Sequence, residues 1–261
     1  MRLLLGLACI SSSSTGPVHP SVTEVAPAAA PTSHWELDLD LQMEWLAPGV
    51  WRHVSWQTLD SGLRYPSNGL LIEQKDQVLL IDTAWGERST QALLKWSERN
   101  LGRPVSAVFS THWHDDRLGG AAVLKTMGVP FYAHPLTVSA AKARRLPEPQ
   151  AIEDLQPGQA ATWFGLEVFY PGPGHTADNT MVWVPQAKLL VGGCAVRSEQ
   201  AGGMGNTGDA VLSEWSASLE RAKERYPHAE RVLPGHGDLG NLSLLAHTQA
   251  LLAQGSQAPA H

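Results

Sequence analysis

The sequence predicts an α/β protein built as a four-layer αββα sandwich, with helices outside and two sheets inside. Three observations carry that expectation. Apolar runs of strand length alternate with segments of helical spacing from residue 49 to residue 253. Two of the runs, "VSAVFS" and "LLVGG", read as strands buried on both faces. Potential metal ligands stand just beyond several strand-like runs, where a rigid sheet gives way to loops that carry chemistry.

In chain order, "GVWRHVSWQTL" (49–59) reads as a strand, and "NGLLIEQ" and "QVLLIDTAW" (68–85) as a hairpin turning at Lys75 and Asp76. Residues 86–101 form a helix, "VSAVFS" a strand, "LGGAAVLKTMG" a helix and "VPFYAH" a strand. "TWFGLEVFYPG" adds one strand, and "TMVWVPQAKLLVGG" a pair joined through Pro185 and Gln186. A helix over 212–226 places Trp215, Leu219, Ala222 and Tyr226 on one face. "RVLPGHG" supplies a last short strand and turn, and "LSLLAHTQALLA" a closing helix.

The 261 residues are 43% hydrophobic, enough for a large core. A formal charge of −6 gives no basic footprint, which excludes nucleic acid as an expected partner and leaves a small neutral or anionic substrate open. The opening "MRLLLGLACISSSS" reads as a short export signal over residues 1–9, too short to span a membrane. "LLGLAC" also resembles a bacterial lipoprotein box, although Gly6 replaces a larger aliphatic residue. Soluble periplasmic release and outer-membrane attachment through a lipid on Cys9 both stay open. Residues 10–39 are expected to be a flexible tether and 40–261 a monomeric catalytic domain. Cys194 is the only other cysteine, either a small buried hydrophobe or a thiolate held by a metal.

The densest chemistry lies in "THWHDDRLGG" (111–120). His112 and His114, two apart on an extended segment, leave the sheet on the same side, and Asp116 enters the next helix. Imidazole and carboxylate are ligands of catalytic zinc. "YPGPGHTADN" adds His175, "LLVGGCAV" adds Cys194 and "VLPGHG" adds His236. Six such ligands suit two metals with three protein ligands each, which leaves positions open for water or substrate.

The ordered set "THWHDDR", "PGPGHTADN", "GGCAV" and "LPGHG" resembles the metallo-β-lactamases of class B, first subclass, over roughly residues 40–253. The resemblance implies the metallo-β-lactamase fold and two zinc ions per chain. His112, His114 and His175 would hold one, and Asp116, Cys194 and His236 the other. It also implies hydrolysis of penicillins, cephalosporins and carbapenems by water activated on zinc, with Asp116 orienting the nucleophile. Thioester hydrolases such as glyoxalase II share the fold but commonly carry histidine after the motif aspartate and aspartate in place of Cys194; here Arg117 and Cys194 stand there. The register of the motif selects Asp116 over Asp115, which is left solvated or beside the ligands.

Arg197, three residues after Cys194, matches the family's cation for the substrate carboxylate; the alternative is a surface arginine. Asn206 resembles the family's asparagine near the reacting carbonyl, or is a turn residue among glycines. Trp56, Leu63 and Tyr65 occupy the family's hairpin beside the substrate, as apolar cover or as structural aromatics. Asp82, Thr111 and Thr176 are placed to orient ligands or water, Arg117 to support the site electrostatically, and Trp113 to pack. His34, His53, His134, His228, His247 and His261 are assigned core or surface roles. A periplasmic lactonase or thioesterase, and a zinc-storage or structural protein, are the competing functions.

Overall fold

The computed structural model of the chain describes the backbone of residues 34–38 and residues 40–255 in full. The export signal, Cys9 and most of the expected tether lie outside the described residues. One sheet runs in the order β1 (His34–Asp38), β2 (Leu41–Ala47), β3 (Val50–Thr58), β4 (Arg64–Glu73), β5 (Val78–Ile81), β6 (Val105–Ser110), β7 (Phe131–Ala133) and β8 (Gln150–Ala151). Neighbours are antiparallel up to β5 and parallel from β5 to β8. The second sheet contains β9 (Gln159–Trp163), β10 (Leu166–Tyr170), β11 (Met181–Val184), β12 (Leu189–Gly193) and β13 (Arg231–Pro234), with β13 parallel to β12 and at one edge. The helices are α1 (Glu87–Trp96), α2 (Asp115–Leu118), α3 (Ala121–Met127), α4 (Pro135–Ala143), α5 (Leu212–Arg225) and α6 (Ser243–Gly255).

Strand alternation builds three cores from two sheets. Leu70, Ile72, Leu79 and Ile81 face inward and meet Val168, Val182, Val191 and Leu233 of the second sheet. Their neighbours Leu71 and Leu80 face outward onto Leu93 and Leu94 of α1, Leu124 of α3 and Ala141 of α4. On the far side, Phe169, Met181 and Leu190 pack on Trp215 and Leu219 of α5 and Leu245 of α6. The result is the expected αββα sandwich, in which both faces of each sheet are covered.

Several elements depart from the sequence reading. The tether was expected to reach residue 39, yet the backbone of His34–Asp38 pairs antiparallel with β2, a strand that was not expected. The single strand expected at 162–172 is a hairpin, since Phe164 and Gly165 both take positive φ (46° and 80°), as a tight two-residue turn demands. Residues 86–101 divide into α1 and a π-helical turn at Ser97–Leu101. Gly119 and Gly120 separate α2 from α3; a Cβ on Gly120 would lie 2.2 Å from Thr90 Oγ1. Helix α4 was not expected, because its small residues lack an apolar stripe. It starts on the His134 imidazole, which accepts from the Leu136 N–H, with Pro135 in the first turn.

One buried polar contact in the first sheet titrates. His53 lies opposite Gly69, whose missing side chain leaves room for the imidazole; a Cβ there would stand 2.1 Å from His53 Nε2. That nitrogen meets the Asp82 carbonyl at 3.1 Å, so it carries the proton. Burial pushes the fully buried ring down from 6.5 to about 4. In the unfolded chain the ring takes up a proton below pH 6.5, whereas the folded chain resists until about pH 4. Its contribution to stability is therefore complete above pH 6.5 and lost as pH falls toward 4. Urea unfolding of the metal-free protein at pH 7 and pH 5 is expected to show an acid loss on the order of 1–2 kcal/mol smaller in His53→Asn than in the native chain. An equal loss in both proteins would contradict the assignment.

Candidate metal centre

Five strand ends meet at one edge of the sandwich. β6 runs into Thr111 and His112, β5 into Asp82, β12 into Cys194 and β13 into His236, while the loop from β10 to β11 carries His175. Backbone bonds tie these ends together: Thr180 N–H donates to the Thr111 carbonyl, Gly235 N–H to Gly193, and Asn68 N–H to Gly235. The His175 loop is braced from within, as the Asn179 amide accepts from Thr176 N–H and donates to the Gly172 carbonyl. Asp178 fastens it to the histidine motif by accepting from Trp113 N–H, and to α4 by accepting from the Thr137 hydroxyl.

The six expected ligands converge as two groups. His114 Nδ1 lies 3.1 Å from His112 Nε2 and 3.0 Å from His175 Nε2. Cys194 Sγ lies 3.3 Å from Asp116 Oδ2 and 3.2 Å from His236 Nε2, and those two are 3.4 Å apart. The His112 ring is also within 4.8 Å of the Asp116 and Cys194 donors, so the groups adjoin. Donors held about 2.0–2.3 Å from one zinc ion in a tetrahedron stand about 3.3–3.7 Å from each other. Both groups are close to that spacing, and both consist of zinc-ligand chemistry.

The far nitrogens of three imidazoles settle which nitrogen faces the centre. His236 Nδ1 meets the Pro66 carbonyl at 2.6 Å, an acceptor only, so that nitrogen carries the proton and Nε2 presents its lone pair. His114 Nε2 is 3.1 Å from Asp209 Oδ2, which leaves Nδ1 free in the same way. The Thr111 hydroxyl donates to Asp82 and stands 3.4 Å from His112 Nδ1 as an acceptor. Such partners on the outer nitrogen are what a metal-ligating histidine requires. Burial pushes His112 well below its ordinary value, with His175 adding to the effect. Burial also takes His175 to about 3 and His236 to about 4, so these rings stay neutral without a metal.

Arg117 is fully buried beneath the second group. Its Nη2 contacts Asp116 Oδ2 at 2.9 Å, Cys194 Sγ at 3.0 Å and the Gly235 carbonyl at 2.8 Å. Its Nη1 donates to the Asn68 carbonyl and lies 3.4 Å from Asp82 Oδ2. Burial acts to raise the Asp116 carboxyl, but Arg117 and then His236 outweigh it and hold the group well below the usual carboxylate range. The Cys194 thiol is raised by burial, with Arg117 pulling the other way. Burial also takes Asp82 up to about 6 against the pull of Arg117.

Above both groups opens a cleft of about 570 Å³. Its lining includes the apolar Leu59, Leu63, Tyr65, Trp85 and Trp113 and the polar Asp115, Arg197, Asn206 and Asp209. Tyr65 covers the His236 ring at 4.8 Å between centroids. Arg197 is a half-buried residue whose guanidinium Nε donates to the Gly203 carbonyl in an exposed bond. Asn206 Oδ1 accepts from Gly208 N–H.

Trp56 is a correction. It pairs with Pro66 while Tyr65 pairs with Gln57, so the period of two turns Trp56 to the opposite face of the hairpin, where Arg64 lies 4.7 Å over its ring. Trp113 does pack, beneath the Arg144 guanidinium at 3.4 Å, and it also borders the cleft. Asp209, Trp85 and Leu59 were not found from the sequence. Trp85 closes the run "QVLLIDTAW" read as a strand and lies four residues beyond the end of β5, which was the available signal; Asp209 sits 95 residues from His114 in a glycine-rich loop and offers none.

Comparison with known proteins places this geometry. The metallo-beta-lactamase superfamily matches residues 62–236. A metallo-beta-lactamase type 2 from Bacillus cereus is 38% identical over 211 residues, covering 79% of this chain and 80% of that one. A metallo-beta-lactamase from Pontibacter korlensis superposes with a TM-score of 0.77 at 41% identity, over 82% of this chain and 99% of that structure. FIM-1 from Pseudomonas aeruginosa, solved in a mono-zinc form, gives 0.80 at 31% identity over 85% and 99%. With the fold, the paired ligand groups and this degree of likeness together, the chain belongs to the metallo-β-lactamases, zinc-dependent enzymes that hydrolyse β-lactams.

Proposed function

We propose that this enzyme hydrolyses penicillins, cephalosporins and carbapenems with two zinc ions per chain, and so confers resistance to them. The observation that carries the reading is the pair of adjoining ligand groups on the floor of one open cleft. His112, His114 and His175 would hold one ion, and Asp116, Cys194 and His236 the other. Zinc, when bound, supplies a Lewis acid and lowers the pKa of water to about 7. Asp116, kept charged by Arg117, can accept a hydrogen bond from the attacking water and so aim it.

The remaining groups bind and orient substrate. Arg197 faces the cleft with a planar fork suited to the carboxylate that β-lactams carry. Asn206 uses its carbonyl oxygen locally, which leaves its Nδ2 donors for the lactam carbonyl. Leu63 and Tyr65, on the cleft face of the hairpin, cover apolar substituents. The width of the cleft and its mixed walls support a broad range of substrates. A lactonase or thioesterase on the same fold would use the same water on a different carbonyl.

Stripping the enzyme with a chelator and restoring zinc tests the reading. Hydrolysis of one penicillin, one cephalosporin and one carbapenem is expected to disappear and return together, with two zinc ions bound in the native chain and one in Cys194→Ser. A single ion in both, or faster turnover of a lactone or thioester than of any β-lactam, would contradict it. Arg197→Ala is expected to lower kcat/KM for a carboxylate-bearing β-lactam about ten- to a hundred-fold, mainly through KM, with zinc content unchanged. The same loss on a substrate esterified at that carboxylate would show that Arg197 does not bind it.

A further inference from the structure

The turn that carries His236 is held by two side chains that touch no ligand atom. Asn68, on β4 and 1% exposed, donates through Nδ2 to the Pro234 carbonyl at 2.9 Å and the Gly237 carbonyl at 2.8 Å. These carbonyls lie on either side of His236 in the chain, so one amide spans the turn. Arg52, on β3, donates from Nε to Asn68 Oδ1 at 3.1 Å and from Nη2 to the Gly237 carbonyl at 3.2 Å. Its Nη1 pairs with Glu44 Oε2 at 3.2 Å.

The chemistry of these partners leaves the Asn68 amide one orientation. Arg52 can only donate and the two carbonyls can only accept, so Oδ1 must face Arg52 and both N–H groups must face the turn. The turn also needs glycine at 237, which has φ of +80° and where a Cβ would lie 2.5 Å from Ser198 Oγ. Held in this way, His236 keeps Nδ1 on the Pro66 carbonyl and Nε2 at 3.2 Å from Cys194 Sγ.

We propose that Asn68, oriented by Arg52, is a positioning residue that sets the metal affinity of the Asp116, Cys194 and His236 group by spanning the His236 turn. The inference rests on the two-metal reading above. The three-histidine group, built on β6 and the His175 loop, has no direct bond to either side chain and stays outside their influence. Loss of the Asn68 donors takes the side-chain partner from the buried Pro234 carbonyl and leaves the Gly237 carbonyl to Arg52 alone; the imidazole can then swing, a change of the kind that costs about ten- to a hundred-fold in metal affinity.

Cobalt(II) titration of the full-length, chelator-stripped chain separates the two sites, since a thiolate-to-cobalt charge-transfer band reports only the site that contains Cys194. The native chain is expected to bind two equivalents, with the band absent in Cys194→Ser. Absence of the band in the native chain would overturn the two-metal reading and this inference with it. Given the band, Asn68→Ala is expected to weaken the thiolate site about ten- to a hundred-fold while the other site keeps its native affinity. Arg52→Gln is expected to act in the same direction by a smaller factor, and it decides the matter if Asn68→Ala does not fold. Native affinity at the thiolate site in the folded variants, or equal weakening of both sites, would overturn the proposal.

Discussion

The buried guanidinium of Arg117 is the interaction on which the site depends. Asp116, Asp82 and Cys194 are all enclosed, and each becomes costly to hold as an anion without a cation nearby. Arg117 meets all three from below and also donates to the Asn68 and Gly235 carbonyls, so one side chain neutralises the second ligand group and binds strand ends from both sheets. A buried pair is weak evidence of net stability in itself, but removal of one partner leaves a charge stranded. The fold tolerates Asp116 and Cys194 at the bottom of the cleft because Arg117 follows Asp116 directly in the chain and enters with it.

From that point the arrangement builds outward. The parallel strands deliver Asp82 and His112 from one sheet and Cys194 and His236 from the other at the same edge, and backbone bonds across the seam fix their spacing. Around His112, His114 and His236 a hydroxyl, a carboxylate and a carbonyl take the outer nitrogen, which turns the inner lone pair to the centre. Only above this layer do Arg197, Asn206 and the hairpin form a cleft where a substrate can lie. The rigid part of the molecule holds metal, and the loops meet substrate.

Much of this was legible in the sequence because metal ligation permits few residue types. His112, His114, Asp116, His175, Cys194 and His236 stood out by type and by their place after strand-like runs, and the structure gathers all six. Support from Arg117 followed from its position in the motif. The hidden parts depend on contacts between distant residues of ordinary type. Asn68 looks like one more polar residue at the start of a strand until the His236 turn is folded onto it. Trp56 failed for another reason: its role turned on which face of a hairpin it occupies, and a register shift of one residue would have reversed the answer. Helix α4 escaped because its small residues carry no apolar stripe, whereas β2 shows the period-two alternation of Leu41, Met43 and Trp45 with Gln42 and Glu44 and could have been read as a strand.

The most direct test of this account is the unfolding free energy of the metal-free protein, native against Arg117→Met, a substitution that keeps most of the volume and removes the charge. If the guanidinium is what allows the acidic and thiol ligands to be buried together, the variant loses about 3–5 kcal/mol, the cost of leaving a buried charge without its partner. A variant as stable as the native chain would contradict the account.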